Sequence, residues 1–98
     1  MNYEVLLRPE AEADLEESYR WYENQVDGLG EEFLRAVDAR ISLIQRNPSA
    51  FAPIHRNVRR ALVRKFPFGI FYFIEADRVI VLSCFHVRRN PRQWQARL

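Results

Sequence analysis

Apolar residues recur along this chain at two different periods, and the places where the period changes mark its elements. The opening stretch NYEVLL combines strand-forming residues with a partial alternation, which predicts a first strand. At RPEAEADL the period lengthens. Pro9 suits the first position of a helix, and Glu10 and Glu12 complement the positive end of its dipole. Ala11, Leu15, Tyr19, Tyr22 and Val26 then follow at steps of three and four, one face of a helix. The glycines of DGLG (27–30) end this helix. EEFLRAVDARISLIQRNP starts a second one, with Phe33, Val37, Ile41 and Ile44 on its stripe and Asn47 and Pro48 as its stop. So short a link requires an antiparallel helical hairpin with one joint apolar face. Tyr19, Trp21 and Tyr22 are expected to pack this face on a sheet, and Trp21, which falls off the stripe, is the one of the three best placed to face a partner instead.

The second half is read with a period of two. After a loop containing Pro53 come three strand candidates, VRRALVRKF, GIFYFIEA and RVIVLSCFHV. The last two are apolar at almost every position, as in central strands covered on both faces, and the first interleaves arginines with Val58, Ala61, Leu62 and Val63. Short links favour an antiparallel meander. Asn90 and Pro91 read as the cap and first residue of a short terminal helix, PRQWQARL. The expected class is α+β in the order β-α-α-β-β-β-(α): a helical hairpin packed on a mainly antiparallel twisted sheet, followed by a short C-terminal helix.

Length and composition narrow the picture further. Ninety-eight residues with no repeat or linker are expected to form one domain, residues 1–98, and 48% hydrophobic content removes the chain from the disordered class. Its single cysteine, Cys84, forms no internal disulfide and supports no cysteine-based zinc site. No metal or cofactor is expected. The start lacks the zones of a signal peptide and no apolar run is long enough to span a membrane, so a cytoplasmic protein without membrane contact is the expectation. The net charge of +2 conceals a polarity: residues 1–49 carry five arginines against eleven carboxylates, and residues 50–98 carry ten cations against two. A basic face that meets something anionic follows from that asymmetry.

The element order, with EADL early in the first helix, FPFGIFYFI in the middle strand and FHVRRNPRQW near the end, resembles the RelE/ParE superfamily of bacterial type II toxins, most closely its ParE-like, plasmid-stabilisation branch. The resemblance covers nearly the whole chain. In one departure, Arg8 stands at the helix entry where such proteins often have serine. The resemblance implies a cognate antitoxin, acidic and partly disordered in its C-terminal segment, which wraps the toxin and alone contacts operator DNA. Arg59, Arg60 and Arg64, with Trp21 and Phe51 as apolar contacts, are the candidates for binding it.

Two modes of action are implied. ParE-like members poison DNA gyrase by a protein contact, for which Arg88, Arg89 and Trp94 in HVRRNPRQW are the candidate anchors. RelE-like members cut messenger RNA in the ribosome, which requires an acid, a base and cations around the phosphate. For this chemistry His86, Arg64, Lys65 and Arg88 are the candidates, but a second titrating partner is missing: Tyr72 belongs to a strand core, and His55 reads as a solvated loop residue. Trp94 has a second reading, as a plug folded back on the core. A pure nucleic-acid-binding domain is a third possibility, weakened by the acidic first half.

Overall fold

The computed structural model describes residues 2–88 and 91–98. It contains β1 (Glu4–Leu7), α1 (Pro9–Gln25), α2 (Leu29–Arg46), a 3-10 turn (Pro48–Ala50), β2 (Pro53–His55), β3 (Val58–Leu62), β4 (Phe68–Glu75), β5 (Arg78–His86) and α3 (Arg92–Gln95). The five strands form one sheet in the order β1-β5-β4-β3-β2, antiparallel except for the parallel pair β1 and β5. The expected α+β architecture is the observed one. The two continuously apolar strands lie at or next to its centre, where neighbours on both faces reward burial of every side chain.

Three details depart from the sequence pattern. Pro53–His55, expected as loop, adds an edge strand of three residues, and its proline and shortness suit an edge because few ladder groups are left open there. Val26 is not part of the α1 stripe: it is the extended residue that ends the helix, and its side chain is exposed. His55 is not a free loop histidine, because its ring meets Trp94 edge-on at 5.8 Å.

The helical hairpin is drawn tight at Gly30, where a Cβ would stand 2.8 Å from the Tyr19 ring. Glu23 of α1 accepts hydrogen bonds from the Gly28 and Gly30 amides at 2.9 and 3.0 Å, satisfying groups at the start of α2 that have no helical partner. The joint face of the hairpin buries Ala11, Tyr22, Phe33, Val37 and Ile44 against Ile70, Tyr72, Val79 and Val81 of the sheet. Tyr22, Phe33, Phe66 and Phe68 meet at centroid distances between 4.9 and 5.9 Å, and burial of each such ring contributes about 2–3 kcal/mol. At the far end, the Tyr72 hydroxyl donates to the Pro48 carbonyl at 2.6 Å, and Arg59 donates to the carbonyls of Ser49 and Phe51. The turn after α2 is thereby fixed to the sheet. No described helix is long and apolar enough to cross a membrane.

Candidate functional site

The sheet face opposite the hairpin has its own, smaller core. Val58, Phe71, Leu82, Phe85 and Trp94 form it, with Phe73 beside them. A bulge in β5 makes this possible: Tyr72 pairs with Val81 and Phe71 with Ser83, so Leu82 is an extra residue opposite β4. Before the bulge Val79 and Val81 face the helices; after it Cys84 does, and Phe85 turns to the opposite face. One inserted residue reverses the alternation and re-aims the end of the strand.

A second consequence concerns the edge of β5. The β1 ladder ends with Arg8, whose amide donates to the Val81 carbonyl at 3.0 Å, and α1 then departs. Beyond that point side chains take the place of the missing strand. The buried Asp14 carboxylate accepts from the Cys84 amide at 3.1 Å, and Arg97 donates to the Leu82 carbonyl at 3.2 Å. The same guanidinium binds both oxygens of Asp14, at 2.7 and 3.2 Å, and lies over the Phe85 ring at 4.6 Å. Arg8 donates to the Arg97 carbonyl at 2.7 Å, so the residue that replaces the usual helix cap fastens the chain end instead. Thus strapped, the C-terminal segment stacks Trp94 on Phe71 at 4.7 Å and 24°. Burial, followed by the Asp14 charge, pushes the Cys84 thiol up to about 12, which leaves it an inert core thiol.

Next to this strap the strand end opens into two concavities that share His86. One, of about 220 Å³, is lined by Arg60, Phe71, Phe85, His86 and Trp94. Arg60 reaches it by laying its stem across Gly69, where a Cβ would stand 3.1 Å from Cγ and Cδ of the arginine. The other, of about 490 Å³, is lined by Ser18, Trp21, Tyr22, Phe68 and His86, with Trp21 59% exposed at its rim. His86 Nδ1 accepts the Arg88 amide at 3.1 Å, and the ring meets Phe68 edge-on at 5.7 Å. Arg88 itself is exposed at the turn after β5.

The residues singled out in the sequence do not all meet. Arg60, His86, Arg88 and Trp21 gather around the end of β5. Arg64 and Lys65 line a different concavity, beside α2. Arg59 holds the 3-10 turn, and half-buried Phe51 lies edge-on to Tyr72 at 6.5 Å. Trp94 is only 5% exposed and takes the plug reading: its ring is spent on Phe71 and is no exposed anchor for a target. Arg89 and the capping role given to Asn90 lie outside the described residues. Sequence reasoning missed Asp14 and Arg97. The pattern gave little signal for Asp14, which on the helical wheel lies about 60° from Ala11 on the side away from Leu15 and Tyr19, close to the position of exposed Trp21.

A helical hairpin on one face of a five-stranded sheet, with a short helix on the other, defines the RelE/ParE class of toxin folds. Its solved members include the structure described as a chromosomal ParDE toxin–antitoxin system from P. aeruginosa, with a TM-score of 0.74 at 16% identity over 86% of this chain and 95% of that one. The RelBE2 toxin–antitoxin complex from Mycobacterium tuberculosis aligns with a TM-score of 0.60 at 17% identity, over 88% and 99% of the two chains. Within that class the family model for the ParE toxin of the type II toxin–antitoxin system parDE matches residues 5–91, and the chain belongs to this family. Toxin ParE2 of M. tuberculosis (strain CDC 1551 / Oshkosh) is 30% identical over 91 residues, covering 89% of this chain and 84% of that protein.

Proposed function

We propose that this type II toxin arrests growth by a protein contact with DNA gyrase, made by the surface at the end of β5, and that an acidic antitoxin neutralises it. Arg88 is the cationic anchor of that surface, Arg60 and Trp21 flank it, and Trp94 supports it from beneath; Arg89, outside the described residues, is a candidate from the sequence alone. The observation that carries this reading is the separation of the groups a ribonuclease would need. His86 lies at one end of the sheet with a ring nitrogen engaged by the Arg88 amide, while Arg64 and Lys65 line the concavity beside α2. A protein contact needs no acid and base in register, only a rigid platform with a few large anchors. The test is pulse incorporation of labelled thymidine and methionine in the first minutes after induction. Thymidine uptake should fall first, and the purified chain should inhibit supercoiling by gyrase. An early fall in methionine uptake instead would sink the gyrase reading.

The alternative of a ribosome-dependent messenger RNA endonuclease has one observation in its favour: Arg60 and His86 line the same cleft, a guanidinium beside an imidazole. His86→Gln separates the two. A nuclease using His86 should lose about two to four orders of magnitude in rate; a gyrase poison should keep its arrest.

A further inference from the structure

A larger concavity, beside α2, plays no part in the surface at the end of β5. It is an open groove of about 700 Å³ between α2 and the link that joins β3 to β4, lined by Glu32, Arg35, Ala36, Ala39, Arg40 and Leu43 on the helix and Arg64, Lys65 and Phe66 on the link. Glu32, Arg35, Ala36, Ala39, Arg40 and Leu43 follow at steps of three, one, three, one and three, a second face of α2 beside the core stripe of Phe33, Val37 and Ile44. From Glu32 to Leu43 this face is about 17 Å long at 1.5 Å per residue, three turns of helix.

Floor and rim differ in chemistry. Ala36 and Ala39 keep the floor low, and Phe66 and the 42% exposed Leu43 make it apolar. Around it stand four cations against the single carboxylate of Glu32. Arg35, Arg40, Arg64 and Lys65 make no ion pair or side-chain hydrogen bond among the described residues, whereas Arg20, Arg59, Arg78 and Arg97 are all engaged. Small residues on a helix face let another backbone approach closely, an apolar floor requires an apolar stripe opposite, and free cations on both banks require carboxylates at the edges of that stripe. A phosphate backbone would leave the apolar floor unmatched and meet the Glu32 carboxylate on the helix bank.

We infer that this groove is the seat of an acidic amphipathic helix of the antitoxin, which lays its apolar stripe on Ala36, Ala39, Leu43 and Phe66 and its carboxylates against Arg35, Arg40, Arg64 and Lys65. The inference rests on the proposed neutralisation by an acidic partner and moves most of the contact away from Arg59, Trp21 and Phe51. It also separates neutralisation from toxicity in space. Covering the groove leaves Arg88 uncovered, so silencing requires either a second stretch of the same partner or bulk that blocks the target.

Fluorescence anisotropy tests it with a labelled peptide of about 16 residues, leucines at helical spacing flanked by glutamates, long enough to span the groove. The intact chain should bind this peptide, and both a glutamine-for-glutamate analogue and the Arg35→Glu/Arg40→Glu variant should weaken binding at least about tenfold. An Arg20→Glu/Arg78→Glu variant, with the same charge change elsewhere, should bind as the parent does. No binding by the parent chain, or equal binding by the analogue or the groove variant, overturns the inference. So does a single-stranded oligodeoxynucleotide of similar charge that displaces the peptide and binds more tightly. In cells, Arg35→Glu/Arg40→Glu should still arrest growth; loss of arrest would make the groove the target surface and overturn its role in neutralisation. Should the parent chain itself fail to arrest growth, the toxin reading falls on that result alone, and the anisotropy series still decides the groove.

Discussion

Asp14 is the residue on which the end of the chain depends. It is a buried carboxylate with a strand amide on one oxygen and a guanidinium on both, and Arg97, 22% exposed, is the only cation paired with it among the described residues. Removing one partner of such a pair costs more than removing both, because a charge is left where water hardly reaches. Arg97→Met should therefore lower stability by about 3 kcal/mol, and Asp14→Asn/Arg97→Met by clearly less than the sum of its two singles, as urea unfolding would report. Tyr72 carries a second residue-scale prediction. Burial pushes its phenol from 10.0 up to about 12, so the folded chain holds that proton more tightly than the unfolded one. The stability from this difference is complete below pH 10 and is lost as pH rises through about 12. Tyr72→Phe should cost about 1–2 kcal/mol at neutral pH through the unpaired Pro48 carbonyl. Between pH 10 and pH 12, however, its stability should fall less steeply than that of the parent, the contribution of Cys84 being common to both.

The short terminal helix shows at the scale of elements what a sequence does and does not disclose. A buried Trp94 stacked on Phe71 predicts that Trp94→Ala costs about 3–5 kcal/mol, whereas an exposed anchor would change stability by less than about 0.5 kcal/mol. Acrylamide quenching checks the same placement without disturbing it. With Trp94 as the sole tryptophan in Trp21→Phe, the emission should be shielded; with Trp21 alone in Trp94→Phe, it should be quenched readily. Both helices of the hairpin and the order of the meander were legible because period and stop signals are local properties of the chain. The edge strand at Pro53 was not, since three residues carry too little pattern. Nor was the bulge at Leu82, which appears only as an uninterrupted apolar run until β4 supplies a register to count against. The site suffered most from this. Which arginines of β3 and its link share a surface depends on which face each one takes. Arg59 faces the turn after α2, Arg60 crosses Gly69 to the opposite face, and Arg64 joins α2.

For the molecule as a whole, charge polarity matters more than net charge. The acidic first half and the basic second half nearly cancel in total, yet the free cations of the groove and the exposed Arg88 lie on surfaces from which an acidic partner would be drawn at a distance. Long-range attraction of this kind accelerates encounter, and salt weakens it over a screening length of about 10 Å at 0.1 M. Dissociation responds less, because contacts already formed over an apolar floor are partly shielded from the ions around them. Raising the salt from about 0.05 M to 0.5 M should therefore lower the association rate of the acidic peptide by roughly tenfold or more, with the dissociation rate changing by only about two- to threefold. Stopped-flow anisotropy would separate the two rates. An association rate indifferent to salt would mean that the apolar floor alone recruits the partner and that the cations serve only to set its register. In that case Arg35→Glu/Arg40→Glu should alter the dissociation rate and leave association untouched.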